Sequence, residues 1–268
     1  KFKSILFLNY SPEKINLITK NLIMIDSHCH LQYLKDNQRK EIIKELEIKN
    51  LKVITIGTNL KDSLKVLEIF QLSSLIFTSL GIHPTELDDL KDFEKFKNLV
   101  ISNQDKIVAI GECGLDFYKL SDQSLKNLQK ELFLKQIELS LEIDKPLVIH
   151  SRESFNEVFD ILKDTSQNKL VMHFFTGSKT EAKRFLDLGA YLSFSTVITL
   201  TDDYNEVIKY IPLDRIFLET DSPFIRSNTP LDVEKVYQKA AALKNINYNE
   251  FVSKIDSNVK EFFKIKAK

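Results

Sequence analysis

The sequence predicts a (β/α)8 TIM barrel, because short apolar runs alternate with helix-period segments along nearly all of its 268 residues. This alternation is typical of parallel strands joined by crossover helices. The eight runs are LIMID (22–26), LKVITIG (51–57), SLIFTSLGIH (74–83), KIVAIGE (106–112), PLVIH (146–150), KLVMHFF (169–175), AYLSFS (190–195) and RIFLETD (215–221). A doubly wound open sheet is the alternative, but the glycine-rich turn that usually follows its first strand is missing from the sequence.

The segments between the runs carry helix signals. Residues 125–143 place apolar side chains at helical spacing from Leu128 to Leu141. A further helix is predicted to begin at the capping box of residues 178–181 and to stop at Gly189. Strand and helix therefore alternate without interruption.

Length and composition favour one catalytic unit. Hydrophobic residues make up 43% of the chain, and only six glycines and six prolines are present, which disfavours long linkers. We expect a single barrel domain over residues 24–268. Residues 1–23 precede the pattern and are interpreted as an extension, with Met24 as a natural start.

Charge and cysteine content exclude several classes of protein. The 38 basic and 38 acidic side chains balance, so a nucleic-acid substrate would have to be held locally. Two cysteines cannot build a disulfide framework, and no stretch approaches the roughly 20 apolar residues of a membrane span. The sequence therefore predicts a soluble, cytoplasmic protein with no membrane partner and no evident obligate protein partner.

All five histidines stand where an apolar run stops, and two carboxylates share this placement. Barrel enzymes build their sites at the carboxyl ends of several strands. Nitrogen and oxygen ligands that converge from different strands indicate a hydrolytic metal site. The seven residues are His28, His30, His83, His150, His173, Glu112 and Asp221.

Side-chain alternation along a strand sorts their neighbours. Asp26 shares a face with His28 and His30, and it is expected to orient an imidazole from behind. Cys29 and Cys113 point away from the adjoining candidate ligands, which favours a structural role for both. The same alternation pairs His150 with Arg152, Glu112 with Asp116, and Glu219 with Asp221. Phe117 and Tyr118, after the fourth run, could stack on a base or pack at the barrel mouth.

Six motifs in this order resemble the TatD family of metal-dependent deoxyribonucleases in the amidohydrolase superfamily. They are IDSHCHL, GIHP, IGECGLDFY, PLVIHSRES, HFFTGS and LETDSP, and the closing SNVKEFF resembles the C-terminal helix of the family. The resemblance covers about residues 24–262. It implies a TIM barrel with a one- or two-metal site and a phosphodiester substrate. The implied activity is that of a 3′–5′ exonuclease that cleaves DNA.

Carried over by residue, the resemblance implies a role for each ligand candidate. His28 and His30 would hold one metal ion, His150 and His173 the second, and Glu112 would bridge the two. Asp221 would be a ligand and the general base. His83, Arg152 and Asp116 match positions near the substrate phosphate or behind the ligands.

The chemistry of the residues is consistent with that assignment. Two divalent ions roughly 3.5–4 Å apart would activate a water and clamp the phosphoryl oxygens, and a carboxylate such as Glu112 can bridge them. Arg152 could offer its planar fork to a phosphate oxygen. Histidines suit Zn2+, whereas carboxylates and phosphate chemistry suit Mg2+ or Mn2+.

The chain departs from the family pattern mainly after Asp221. Family members usually carry a longer basic loop there, whereas DSPFIRSNTPLDVEKV goes almost directly into a predicted helix, and Arg226 is the one basic residue ahead of that helix, which contains Lys235. This difference favours an alternative: the same site acting on a small phosphoester, an amide or an aminoacyl ester. A non-catalytic barrel that keeps its metal is a third hypothesis, which the intact ligand set disfavours.

Overall fold

Eight parallel strands follow one another in sequence order around a barrel, as the alternation of apolar runs predicts. The computed structural model describes residues 23–165 and 169–265. Its strands are β1 (Met24–Cys29), β2 (Leu51–Gly57), β3 (Ile76–Leu80), β4 (Ile107–Asp116), β5 (Leu147–Arg152), β6 (Leu170–Met172), β7 (Tyr191–Phe194) and β8 (Ile216–Leu218). The predicted TIM barrel is confirmed. The predicted extension falls on residues 1–22, which lie outside the described part of the chain, and on Ile23.

Helices cover the outside of the barrel between successive strands. In the described ranges they are α1 (Asp36–Lys49), α2 (Leu60–Ile69), α3 (Phe93–Ser102), α4 (Gln123–Glu142), α5 (Phe155–Lys163), α6 (Lys179–Asp187), α7 (Asn205–Tyr210), α8 (Val233–Lys244) and α9 (Tyr248–Phe262). The predicted helix over 125–143 matches α4. The capping box of α6 forms as predicted, with Ser178 and Glu181 each accepting the other's backbone N–H, and Gly189 follows that helix with φ 82°.

The barrel closes between its first strand and the segment after its last. Cys29 and Ser222 form a parallel bridge, the His30 N–H donates to the Ser222 carbonyl at 2.8 Å, and the Asp221 N–H donates to the His28 carbonyl at 2.9 Å. From outside, α9 packs on β1 and β8. The closure lies at the carboxyl end of the strands, where the candidate ligands also lie.

The observed strands differ in length from the predicted apolar runs, since some are shorter and some extend further along the chain. β6 and β8 span three residues each, because the backbone leaves the ladder immediately before His173 and Glu219. Phe174 and Asp221 then adopt left-handed φ values of 45° and 52°, which turn the chain across the barrel end. β1 and β4 run further than predicted and carry their polar motifs within the strand.

β4 is irregular where it carries Glu112. Its register against β5 shifts between Ile110 and Cys113, which marks a bulge. Gly111 and Gly114 have φ of 140° and 132°, and a Cβ at either position would collide with a carbonyl oxygen of β5. Glycine is therefore required on both sides of Glu112 for the two strands to approach.

The core lies inside the barrel and beneath the surrounding helices. Phe262 of α9 meets the ring of Phe217 at 5.2 Å, and Tyr237 of α8 is fully buried. The Tyr237 hydroxyl donates to the Ile25 carbonyl at 3.1 Å and accepts from the Ile25 N–H at 3.3 Å. Across the described residues, no helix has the length and apolar character needed to cross a membrane.

Candidate metal centre

A cavity of about 640 Å3 opens at the carboxyl ends of the strands. This is the size of an ordinary small-molecule or active-site pocket. The predicted site residues that line it are His30, His83, Glu112, Asp116, His150, Arg152, His173 and Asp221. His28 lies directly beneath them and is fully buried. The structure therefore brings all nine candidate residues together at one end of the barrel.

The first group of donor atoms comes from β1 and the residue that follows it, from β4 and from the segment after β8. The Nε2 atoms of His28 and His30 are 3.1 Å apart. Glu112 Oε2 lies 3.4 Å from the first nitrogen and 3.7 Å from the second. Asp221 Oδ1 lies 3.8 Å from His28 Nε2 and 3.5 Å from His30 Nε2.

The second group uses the other oxygen of the same glutamate. Glu112 Oε1 lies 2.9 Å from His150 Nδ1 and 2.9 Å from His173 Nε2. These two nitrogens are 3.4 Å apart. His83 Nε2 approaches the same oxygen at 3.6 Å. One carboxylate thus directs an oxygen toward each of two histidine pairs.

Both groups have the spacing that a divalent ion requires. Bonds of roughly 2.0–2.2 Å to nitrogen and oxygen hold neighbouring ligand atoms about 3–3.5 Å apart. The distances within the two groups run from 2.9 to 3.8 Å. The donor set, imidazole nitrogens with carboxylate oxygens, therefore fits divalent metal ions in both groups.

Three of the four imidazoles have a polar group behind the far nitrogen, whereas the buried Nδ1 of His28 has no hydrogen-bond partner among the described residues. His30 Nδ1 contacts the Ile56 carbonyl at 3.0 Å, which turns Nε2 toward the cavity. His150 Nε2 lies 3.1 Å from Asp116 Oδ2, and His173 Nδ1 lies 3.4 Å from Glu219 Oε1. Such contacts fix the tautomer and orientation of a ligating ring.

Glu219 has more contacts than sequence reasoning could assign to it. Alternation placed it on the face of Asp221 and gave it no role. Its carboxylate accepts the Phe174 N–H at 2.7 Å and the Ser193 hydroxyl at 2.5 Å, and it is almost fully buried. Its position two residues before Asp221 was the available signal, but a buried acid becomes informative only once its partners are known.

The electrostatics of the cluster favour cations. Burial raises the pKa of the Glu112 carboxyl, but the rings of His173, His150 and His28 outweigh it and hold this pKa well below the usual range. Burial lowers the pKa of His173, but the Glu112 carboxylate beside it dominates and raises that pKa well above its ordinary value. Burial lowers the pKa of His83 to about 4. The carboxylates thus create a field that attracts positive charge, whether protons or metal ions.

Three residues predicted near the substrate take different positions. The His83 ring stands edge-on to the His150 ring, with centroids 4.5 Å apart, and its Nδ1 contacts the Thr85 hydroxyl at 2.6 Å. Asp116 faces the His150 ring. The Arg152 guanidinium lies over the Tyr118 ring, 3.7 Å from its centroid, at the rim of the cavity. Of the two alternatives for this pair, burial of Phe117 favours packing at the mouth, whereas Tyr118 is 41% exposed.

Asp26 acts differently from the expectation that it orients an imidazole. Its carboxylate accepts the His28 backbone N–H at 3.2 Å, the Thr220 N–H at 2.9 Å and the Thr220 hydroxyl at 2.6 Å. It therefore ties β1 to the segment after β8 through backbone groups. Cys29 and Cys113 are buried free thiols directed at the carbonyls of Ile54 and Val148, away from the donor groups.

Two aromatic residues of the cavity wall were missed by sequence reasoning. Tyr33 follows the first histidine pair, and Phe224 follows Asp221. Their rings lie 5.5 Å apart, and both approach the His30 ring. Neither stands in a periodic pattern, so no sequence signal distinguished them from ordinary loop residues.

Comparison with known proteins agrees with this geometry. The family model described as TatD related DNase matches residues 25–264, a range that contains every candidate ligand. The chain belongs to the TatD family.

Relatives of this TatD protein span its barrel almost completely. An uncharacterized metal-dependent hydrolase of Buchnera aphidicola subsp. Baizongia pistaciae is 33% identical over 260 residues, which cover 91% of this chain and 97% of the relative. The uncharacterized metal-dependent hydrolase YabD of Bacillus subtilis (strain 168) is 32% identical over 258 residues, with 91% and 100% covered. The solved structure of YJJV, a TatD homolog from Escherichia coli K12, has a TM-score of 0.84 at 25% identity and covers 93% of this chain and 100% of that one. This TatD protein is therefore a metal-dependent hydrolase on a TIM barrel.

Proposed function

We propose that this protein is a two-metal phosphodiesterase that degrades single-stranded DNA from its 3′ end. The observation that carries the proposal is the position of Glu112, which directs Oε2 at the His28–His30 pair and Oε1 at the His150–His173 pair. One acid shared by two ligand groups is what a bridged pair of ions needs. The 3′–5′ direction rests on the resemblance to the TatD deoxyribonucleases.

Each residue then has a distinct task. His28, His30 and Asp221 would hold one ion and His150 with His173 the other, with Glu112 shared. The pair of ions, when bound, would lower the pKa of a water and offset charge on the phosphoryl oxygens. Mg2+, Mn2+ and Zn2+ prefer different ligands, but a set that combines histidines with carboxylates offers donors to all three.

Asp221 is the proposed general base. Its side chain is 14% exposed, so the carboxylate borders both the donor atoms and the open cavity. Its Oδ atoms can accept a proton from the attacking water while the backbone is held by the hydrogen bond to the His28 carbonyl. Arg152 at the rim would bind a phosphate oxygen, and His83 beside Glu112 would contact the substrate. Asp116 would act on substrate binding through the His150 ring.

The direct test is degradation of a 5′-labelled single-stranded oligonucleotide with Mg2+, Mn2+ or Zn2+. We expect a ladder that shortens from the 3′ end and is abolished by EDTA, and we expect a second strand with a phosphorothioate linkage at its 3′ terminus to stay intact. A protein that binds metal yet leaves the strand intact would contradict the proposal. A ladder unaffected by the terminal phosphorothioate would indicate endonuclease action instead.

A second candidate is hydrolysis of a small phosphoester, amide or aminoacyl ester at the same site. The lining of the cavity favours it: among the described residues there, Arg152 is the one guanidinium or ammonium group, against the carboxylates of Glu86, Glu112, Asp116 and Asp221. A panel of small esters and amides assayed beside the oligonucleotide decides between the two.

Action in the cytoplasm is proposed as well, supported by the two free thiols.

A further inference from the structure

Two large aromatic side chains stand exposed at one side of the cavity. Tyr33 is 44% exposed and Phe224 is 60% exposed. Both line the cavity beside His30, and the Phe224 ring is set edge-on to the His30 ring with centroids 5.0 Å apart. Single exposed apolar residues are ordinary on protein surfaces, but here two rings adjoin at the mouth of the cavity, with centroids 5.5 Å apart and planes inclined by 57°.

Hydrogen bonds hold the Tyr33 side chain and the backbone that carries Phe224. The Tyr33 hydroxyl contacts the Thr58 hydroxyl at 2.8 Å and donates to the Asp62 carboxylate. Phe224 sits in a turn in which its N–H donates to the Asp221 carbonyl at 3.1 Å, and the preceding Ser222 is bonded to His30. A ligand that stacks here would therefore meet a fixed Tyr33 ring and a fixed Phe224 backbone, which lowers the entropic cost of binding.

The charges near the aromatic pair indicate which part of a substrate would lie there. The carboxylates of Asp62 and Glu86 are on this side of the mouth, and Arg152 is a residue of β5. A phosphate would be repelled by the first two groups and attracted by the third. An uncharged aromatic group, such as a nucleobase, is the part of a nucleotide that suits the surface of Tyr33 and Phe224.

We propose that Tyr33 and Phe224 form a stacking platform for the base next to the scissile phosphate of a single-stranded nucleic acid. The proposal rests on the proposed nuclease function and specifies how the strand is held. Aromatic platforms bind bases with little sequence preference, because every base has a π face. The platform thus selects an unpaired strand over a duplex, in which the bases are stacked on each other.

A second cavity continues from the platform. It has a volume of about 390 Å3 and shares Tyr33 with the first cavity, so this ring forms the ridge between them. Its wall offers an ammonium group, Lys35, and hydrogen-bonding side chains, with Glu41 as its acidic member. The next nucleotide of the strand would pass over Tyr33 into this cavity, where Lys35 can meet its phosphate.

The platform is tested first by cleavage. Phe224→Ala should lower kcat/KM on a single strand by roughly 5- to 100-fold, mainly through KM, because one base–aromatic stack is lost. Phe224→Tyr should restore most of the activity. Tyr210→Ala is the matched control, since Tyr210 is 46% exposed and ends α7, at the opposite end of the barrel from the mouth.

The decisive comparison uses strands that lack one base. Abasic positions are placed in turn at the last two nucleotides of the 3′ end. At the position that stacks, wild type should lose as much activity as Phe224→Ala loses on the intact strand, and the variant should lose little more. If Phe224→Ala loses the same activity relative to wild type on the intact strand and on the abasic strand, the platform proposal is wrong. It is also wrong if Phe224→Ala cleaves the intact strand as fast as wild type does.

A binding measurement separates this proposal from the nuclease proposal. Strands carrying 2-aminopurine near the 3′ end are mixed with Mn2+-loaded wild type, Phe224→Ala and Tyr210→Ala. Quenching of the 2-aminopurine fluorescence by wild type and Tyr210→Ala, but not by Phe224→Ala, supports the platform even if no cleavage occurs. Cleavage without position-specific quenching would leave the nuclease standing and reject the platform, and absence of binding would reject it as well.

Discussion

The two histidine pairs of the centre differ in burial and in what holds them. The side chains of His28 and His30 are 0% and 1% exposed, and His30 is oriented by the backbone carbonyl of Ile56. His150 is 17% exposed, and carboxylates stand behind both His150 and His173. A backbone carbonyl fixes a ring without adding charge, whereas a carboxylate also makes the ring a stronger donor. The second pair is therefore the more accessible to solvent, but only through His150, because the His173 side chain is 4% exposed.

Breaking the shared residue should have the largest effect. Glu112→Gln removes the negative charge that both groups share and replaces one of the two donor oxygens by an NH2 group, so we expect weaker metal binding in both groups and a fall in activity of about 10³-fold or more. Metal content by mass spectrometry and oligonucleotide cleavage measure the two effects. Glu138→Gln, on the exposed face of α4, is the matched control. A variant that keeps full metal content would contradict the shared role.

Removing one histidine from each pair should separate the two ions. After dialysis, His150→Ala is expected to retain about one ion per chain, held by the buried pair. His30→Ala should lose the ion that wild type retains longest during exposure to EDTA, because the His28–His30 pair is the more enclosed of the two. A time course of metal release from wild type and both variants measures this. Identical release curves for the two variants would show that burial does not distinguish the sites.

The carboxylates behind the second pair should matter less than the ligands. Asp116→Asn and Glu219→Gln keep the shape of the side chains but weaken the donors His150 and His173, so metal affinity or activity should fall about 10- to 100-fold. Titration with Zn2+ or Mn2+, together with cleavage rates at saturating metal, separates the two contributions. If excess metal fails to restore Glu219→Gln, its bonds to Ser193 and Phe174 serve the fold instead.

The smallest effect is expected at the thiols next to the ligands. Cys29→Ser and Cys113→Ser should leave metal content unchanged and activity within about threefold, because each Sγ is directed at a backbone carbonyl and away from the donors. Burial of the new hydroxyl should lower the free energy of unfolding of each variant by about 1–2 kcal/mol, measured by urea denaturation. Loss of an ion from either variant would indicate thiolate ligation.

Much of this arrangement could be predicted from the sequence, since it depends on regular patterns. Alternating apolar runs determine the barrel, and polar residues at the run ends bring His28, His83 and His173 to one mouth. The resemblance implied that Glu112 bridges the two histidine pairs, but strand alternation alone could not predict it, because it depends on the bulge in β4 between Ile110 and Cys113. Alternation along a strand gives the face of a side chain and does not specify which atom meets which partner.

Surface aromatics and buried acids escaped prediction for a different reason. Tyr33 and Phe224 lie in irregular segments, where no period separates a functional ring from a solvent-exposed one. Asp26 was assigned to the correct face, but its bonds to Thr220 depend on the closure of β1 onto the end of the chain's last strand. Long-range contacts of this kind become visible only when the barrel is assembled.

That closure has a consequence for how the protein folds. The bonds that join β1 to the segment after β8 involve the backbones of His28, His30 and Asp221, the same residues whose side chains form the first donor group. A cation held by those side chains would link β1 to the segment after β8, where the barrel closes. An ion that binds the closed chain and not the open one would stabilise the closed state by mass action, so that assembly of the metal centre and completion of the barrel would be one cooperative event.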